Sequence, residues 1–140
     1  MPTLYQELAA IANRAKARAH APYSRFRVGA AVLTKNGEVF TGCNIENSSY
    51  SLTICAERTA IFKAISEGKG KDGFKAIAIA SDDPRHTPPC GACRQVLIDL
   101  AGNIDVILVN PAMKLKTMKL KSLMPMAFTD KNLKRVRRKR

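Results

Sequence analysis

The sequence of 140 residues predicts an α/β domain with three layers, α-β-α, in which helices cover both faces of a mixed five-stranded sheet. Three observations predict this class. Apolar residues recur at helical spacing in three segments. Five shorter apolar runs, bounded by turn residues, have the length of strands. The predicted elements follow one another as α-β-β-α-β-α-β-β, an order that suits a sheet covered on both faces.

The ends of these elements are marked by capping and turn residues. Thr3 and Gln6 have the spacing of a capping box at the start of the first helix. Asn36-Gly37 between two apolar runs predicts a hairpin, and Gly68 and Gly102 are typical stops for the second and third helices. The predicted elements are a helix from Leu4 that ends before Ala21-Pro22, strands over 27–34 and 38–45, a helix from near Cys55 to before Gly68, a strand over 74–81, a helix over 91–101, and strands over 104–109 and 115–120.

The last three predicted strands indicate how the sheet is buried and how its strands run. Residues 74–81 (FKAIAIAS) are almost all apolar, which is typical of a strand buried on both faces. Only residues 110–114 separate the last two strands. A parallel connection needs a crossover of about a dozen residues or more. We therefore expect the last two strands to be antiparallel.

The net charge of +13 is distributed unevenly along the chain. Residues 1–110 contain 13 Lys or Arg and 10 Asp or Glu, whereas residues 111–140 contain 11 and one. The end of the chain is mostly cationic and has little to bury. The sequence therefore predicts a domain over 1–130 and a disordered basic tail over 131–140. Non-specific contact of the tail with nucleic acid, or a nuclear localisation signal, is the alternative to a solvated terminus.

Composition also bears on the location of the protein. No uninterrupted apolar stretch reaches the length of a membrane span. The start, Met1 to Tyr5, has neither the basic nor the apolar region of a secretory signal. We therefore expect a cytoplasmic protein with no membrane partner. In a reducing compartment, the four cysteines favour metal binding or catalysis over disulfides.

Three cysteines and one glutamate form the motif that indicates the chemistry. Cys55 is expected to open the second helix, and Cys90 and Cys93 the third. Helix N-termini favour thiolates, which bind zinc, and three protein ligands leave a tetrahedral zinc one open position for water. Glu57 is then placed beside that water as an acid/base group, so the motif predicts one catalytic Zn²⁺ per chain. The alternatives are a redox or structural C-x-x-C pair, and a closed structural site completed by Cys43.

Four separated motifs carry a family resemblance that extends over roughly residues 4–128. They are Pro22–Ala31 (PYSRFRVGAA), Thr41–Asn47 (TGCNIEN), Ile54–Ala60 (ICAERTA) and Pro89–Gln95 (PCGACRQ). In this order they resemble the small homotetrameric zinc-dependent cytidine deaminases. The resemblance implies a cytidine deaminase-like fold and hydrolysis of free cytidine or deoxycytidine to the uridine product and ammonia, in pyrimidine salvage. Zinc deaminases use a zinc-bound hydroxide as nucleophile and a non-ligand glutamate, here Glu57, as proton shuttle.

The resemblance also implies roles for residues around the metal. These are Phe26 stacking on the pyrimidine, Asn44 and Glu46 bonding a ribose hydroxyl, the Ala56 backbone contacting the base edge, Arg58 offsetting the thiolate charge, and Phe128 lying near the site of a neighbouring subunit. From the residues alone, Phe26 could instead be a core aromatic, and Asn44 and Glu46 a solvated polar face. Arg58 could be a surface charge on its helix, and Phe128 could pack in the core or at an interface without contacting substrate. Arg27 and Ser122 depart from the family pattern, in which a proline and an acidic residue are common at these positions.

Two other deaminase functions compete with this prediction. Deaminases that act on polynucleotides carry a helix between their last two strands, which run parallel, so the short connection over 110–114 disfavours that class. An antibiotic deaminase acting on a cytosine nucleoside analogue would be expected to differ at Asn44–Asn47. A free nucleoside is therefore the predicted substrate.

Overall fold

The computed structural model describes residues 1–133, so residues 134–140 of the predicted tail lie outside the described residues. The helices are α1 (Leu4–Lys16), α2 (Ala56–Ser66), α3 (Gly91–Ala101) and α4 (Asp130–Leu133), and the strands are β1 (Val28–Thr34), β2 (Val39–Cys43), β3 (Phe74–Ser81), β4 (Asp105–Val109) and β5 (Leu115–Lys119). Residue 131, the predicted start of the tail, falls within α4. Within residues 1–133, no helix combines the length and the apolar character needed to cross a bilayer.

The five strands form one mixed sheet in the order β2-β1-β3-β4-β5. β1 pairs antiparallel with both β2 and β3, and β3 pairs parallel with β4. β4 and β5 are antiparallel, with Asp105 opposite Lys119 and Val109 opposite Leu115. The predicted mixed sheet, with its last two strands antiparallel, is confirmed.

The sheet separates two apolar cores, one on each face. Ile77 and Ile79 of β3 belong to the core shared with α2 and α3, whereas Ala76, Ala78 and Ala80 belong to the core shared with α1. Successive strand residues point to opposite faces, so one apolar strand supplies both cores. The residues of β3 that face α1 are therefore alanines, and those that face α2 and α3 include both isoleucines. The three-layer prediction is thereby confirmed.

The prediction for α1 is right at its start and wrong at its end. Thr3 and Gln6 form the predicted capping box. The helix ends at Lys16, although it was expected to continue almost to Ala21. The reason is tertiary, because the His20 N–H donates to the Asn44 carbonyl at 2.9 Å and the His20 carbonyl accepts from the Glu46 N–H at 2.8 Å. These two backbone hydrogen bonds hold the chain against the segment that follows β2, so it leaves the helix before His20.

A glycine on β2 sets the position of α2. A Cβ atom added to Gly42 would lie 2.5 Å from the Ala56 carbonyl oxygen and 2.5 Å from the Ala60 nitrogen. Real Cβ atoms do not approach backbone this closely, so the first turn of α2 can rest on β2 only where a side chain is missing. This contact fixes the helix start that presents Cys55 and Glu57.

Candidate metal centre

Two helix starts bring three thiols together. Cys55 is the N-cap residue of α2 and Cys90 that of α3, and Cys93 lies in the first turn of α3. Their Sγ atoms all lie within 4.8 Å of one another, with 3.7 Å between Cys55 and Cys90. These are the three ligands that the sequence predicts. Their convergence depends on α2 and α3 packing side by side on one face of the sheet.

The donor set fits zinc with an open coordination position. Thiolate sulfur is a preferred ligand of zinc, and three protein ligands are typical of a catalytic rather than a structural site. The fourth cysteine, Cys43, lies apart from this cluster, since its thiol contacts the Arg18 carbonyl at 3.5 Å. The geometry therefore does not support a closed four-thiolate site.

The thiols of Cys55 and Cys93 differ in how readily they lose a proton. The neighbouring Cys93 thiol and the Arg58 guanidinium lower the pKa of the Cys55 thiol. The closeness of Cys55 and full burial raise the pKa of the Cys93 thiol. Metal ligation requires deprotonated thiols, so zinc binding to this cluster displaces the remaining protons.

Arg58 supplies positive charge next to the ligands. Its Nη2 lies 3.4 Å from the Cys55 sulfur, and this contact raises the pKa of the guanidinium further. Its Nε is buried and has no hydrogen-bond partner among residues 1–133. Three thiolates and one Zn²⁺ sum to a net charge of −1, and a neighbouring cation offsets that excess. The position of Arg58 is consistent with its predicted role in tuning the charge of the site.

Glu57 is a buried carboxyl beside the thiols. It lies in the first turn of α2, two residues after Cys55, and is only 4% exposed. Burial raises the pKa of Glu57 to about 7, and the negative charge of Cys55 adds to the shift. A carboxyl that titrates near neutrality can both accept and donate a proton under ordinary conditions.

A cleft of about 280 Å³ opens onto Cys55, Cys90 and Glu57. Its size is at the small end of ligand-binding cavities, which suits one small molecule. Four of the residues predicted to bind substrate line the cleft: Phe26, Asn44, Glu46 and Ala56. Thr87, Pro88 and Ile79 also line it but were not predicted. No sequence signal distinguishes these three positions as cleft residues.

The polar pair Asn44 and Glu46 holds the loop over the cleft. The Asn44 side chain donates to the Phe26 carbonyl at 2.7 Å and accepts from the Val28 N–H at 2.9 Å. The Glu46 carboxylate accepts from the Tyr23 and Ser24 N–H groups at 2.9 and 3.1 Å, and from the Ser24 hydroxyl. Neither residue is a merely solvated polar face. The sequence did not reveal this loop-holding role, because the partners lie 16 to 23 positions away.

Phe128 lies outside the cleft of its own chain. Its side chain is 55% exposed and lines a separate surface hollow with Phe62, Leu100 and Leu133. The carbonyl of Phe128 accepts a hydrogen bond from the Gln95 amide at 2.8 Å, which attaches the segment to α3. Within one chain, Phe128 therefore makes no contribution to the metal centre.

Three converging thiol ligands, an open metal position and a buried carboxyl under a small cleft define a zinc-dependent hydrolytic enzyme. The chain matches the cytidine and deoxycytidylate deaminase zinc-binding region over residues 2–109. It is 50% identical over 123 residues to a cytidine deaminase of Halalkalibacterium halodurans, covering 87% of this chain and 92% of that one. It is 44% identical over 129 residues to a cytidine deaminase of Sporosarcina psychrophila, covering 91% and 93%.

A solved structure shows the same fold. The crystal structure of cytidine deaminase from Burkholderia pseudomallei matches with a TM-score of 0.85 at 44% identity, covering 91% of this chain and 100% of that one. The chain therefore belongs to the cytidine and deoxycytidylate deaminase family. It is a zinc-dependent hydrolytic deaminase that binds one zinc per chain through Cys55, Cys90 and Cys93.

Proposed function

We propose that this enzyme hydrolyses free cytidine and deoxycytidine to uridine and deoxyuridine, with release of ammonia. The observation that carries the proposal is the buried Glu57 carboxyl beside three zinc-binding thiols, at the base of a cleft that suits one small molecule. Relatives that are 44 to 50% identical over most of their length are cytidine deaminases, which supports the same substrate class here.

Glu57 moves the protons of the proposed reaction. Bound zinc lowers the pKa of a coordinated water toward neutrality and so makes a nucleophile available near pH 7. Glu57 takes a proton from the attacking water and gives it to N3 of cytosine while the oxygen adds to C4. It then moves a second proton from that oxygen to the amino nitrogen, which leaves as ammonia. A single carboxyl held beside the metal site can serve both directions of transfer.

Asn44 and Glu46 keep unused hydrogen-bonding capacity for a sugar. An amide has two N–H donors, and Asn44 uses one of them on the Phe26 carbonyl. A carboxylate has about four acceptor sites, and Glu46 uses three of them on the loop. The remaining donor and acceptor are proposed to bind a ribose hydroxyl, while Phe26 stacks on the base and the Ala56 backbone contacts its edge.

Assembly and biological context are further parts of the proposal. Four apolar side chains are exposed around one surface hollow, those of Phe62, Leu100, Phe128 and Leu133. Exposed apolar groups of this kind are typical of surfaces that associate. We infer a homotetramer in which Phe128 approaches the cleft of a neighbouring subunit, and a role in pyrimidine salvage in the cytoplasm.

The proposed substrate is tested by following the ultraviolet absorbance of cytidine with the zinc-loaded protein. We expect turnover of cytidine and deoxycytidine, no turnover of cytosine in a single-stranded oligonucleotide, and no change in kcat/KM on removal of residues 134–140. The antiparallel β4–β5 pair supports this expectation, because polynucleotide deaminases are expected to have these strands parallel. Turnover only of the oligonucleotide, or only of a cytosine nucleoside antibiotic, would contradict the proposal.

Replacement of Glu46 by Gln is expected to raise KM for cytidine about tenfold or more, with a smaller effect on kcat. The amide would present N–H groups to the backbone donors of Tyr23 and Ser24, and unpaired donors weaken both the loop and the sugar site. Steady-state kinetics measure the effect. Glu38→Gln is the matched control, since Glu38 contacts Lys69 at the surface, 3.3 Å away, and should leave KM unchanged.

A further inference from the structure

The loop that carries Phe26 has a backbone conformation that needs support. Arg25, which directly precedes Phe26, has a φ of 57°, in the left-handed region that favours glycine. Such residues persist where the surrounding structure holds them, and they concentrate at binding sites. Phe26 itself is 37% exposed and lines the cleft, so core packing alone does not fix its ring.

The loop is held on its N-terminal side by Glu46 and around Phe26 by Asn44. On its C-terminal side, the residue that follows Phe26 is held by Asp82, at the end of β3. One carboxylate oxygen of Asp82 accepts from the Arg27 backbone N–H at 3.1 Å and from its Nε at 3.0 Å. The other accepts from Arg27 Nη2 at 3.0 Å. Asp82 returns a bond from its own N–H to the Arg27 carbonyl at 3.3 Å.

Lys16 completes this arrangement from α1. Its Nζ lies 3.2 Å from the Asp82 carboxylate and 3.3 Å from the Ser81 carbonyl, and the residue is 8% exposed. Arg27 and Lys16 together lower the pKa of Asp82 to about 2, chiefly through the Arg27 hydrogen bonds. Asp82 is therefore a fully charged acceptor that ties α1, the end of β3 and the loop together.

This contact differs from an ordinary surface ion pair. Such pairs usually contribute little, because two long side chains must be ordered in water. In the neighbouring Arg85–Asp83 pair, the backbone N–H and one guanidinium nitrogen reach one carboxylate oxygen, and the arginine side chain is 88% exposed. Arg27, whose side chain is 48% exposed, adds a second guanidinium nitrogen and so engages both carboxylate oxygens, which fixes orientation as well as distance.

We propose that Arg27 and Asp82 are positioning residues for substrate binding. They set the loop so that the Phe26 ring stands over the base, without touching the substrate themselves. This inference rests on the proposed function, since it assigns the pair to the affinity for a pyrimidine nucleoside. Its consequence is that loss of the pair weakens nucleoside binding while the hydrolytic step, which depends on Glu57 and the metal centre, is retained.

The test compares Arg27→Ala, Asp82→Asn and the double variant with the wild type, all loaded with zinc. We expect KM for cytidine and the dissociation constant of uridine, measured by calorimetry, to rise together by about tenfold, the range of a misplaced base–aromatic stack. We expect kcat to stay within about twofold. Arg27→Lys should recover part of the affinity, and the double variant should be no worse than either single variant.

A second measurement does not depend on turnover. Amide hydrogen exchange in the absence of nucleoside should become faster over residues 22–28 in both single variants, and remain unchanged over α2 and α3. Arg85→Ala is the matched control and should change neither exchange nor KM. An active wild type whose variants keep KM or loop protection unchanged would overturn the inference alone. A wild type that does not turn over cytidine would overturn the proposed function, and the inference with it.

Discussion

Replacement of Glu57 by Gln is expected to lower kcat for cytidine by about 10²–10⁴-fold, the contribution typical of a positioned acid/base group. Gln keeps the shape of the side chain but can neither take a proton from water nor return one to the base. The variant should still bind one zinc, because Glu57 is not part of the thiol cluster. The measurement is cytidine turnover together with zinc content by elemental analysis.

The thermal midpoint of the Glu57→Gln variant distinguishes a loss of catalysis from damage to the fold. Burial raises the pKa of Glu57 because the charged form is poorly solvated there, so a neutral amide removes an unfavourable term. We therefore expect the thermal midpoint of metal-free Glu57→Gln at pH 7 to equal or exceed that of the metal-free wild type. Glu67→Gln, at the exposed end of the same helix, is the control and should keep full activity. A Glu57→Gln variant with zinc and near-normal turnover would show that another group moves the protons.

Replacement of Cys93 by Ser is expected to lower zinc content from one per chain to near zero after dialysis against a chelator, and to abolish turnover. Cys93 is one of the three members of the cluster and is fully buried, so its replacement leaves two thiols. A serine oxygen is a poor zinc ligand compared with a thiolate, and two remaining thiols do not make a stable site.

The thermal midpoint gives a second readout of the same site. A metal that binds only the folded state stabilises it, so a chelator should lower the midpoint of the wild type. The midpoint of Cys93→Ser should not respond to the chelator. Cys43→Ser is the matched control and should keep both zinc and activity, because its thiol lies against Arg18 instead. Loss of zinc from Cys43→Ser would contradict an open three-cysteine site.

The two halves of the metal centre were predictable because each is local, and the resemblance of the motifs to a known family indicated that the halves share one metal. Cys55 and Glu57 share one helix start, as do Cys90 and Cys93, and the physics of helix N-termini favours thiolates at such positions. The short connection between β4 and β5 likewise requires an antiparallel pair whatever the rest of the chain does. The sequence could also place Phe26 within a motif, although only the structure shows it lining the cleft.

Other features depended on contacts between distant segments. The order of the strands, with β1 between β2 and β3, could not be deduced from spacing alone. The early end of α1 follows from bonds between His20 and the segment after β2. Asp82 meets Arg27 across 55 positions, and an Asp that follows a strand gives no signal of such a partner.

The sequence by itself determined the fold class and the zinc ligands and predicts Glu57 as the acid/base residue, since capping, turn chemistry and helix-start electrostatics act over a few residues. Only the tertiary structure decided how the cleft is held. Asn44 and Glu46 lie just after β2 and Asp82 just after β3, and they acquire their roles in the loop through the sheet that brings these two segments to it. A hydrogen bond requires two atoms within about 3 Å of each other, and for residues far apart in the chain that condition is met only in the folded molecule.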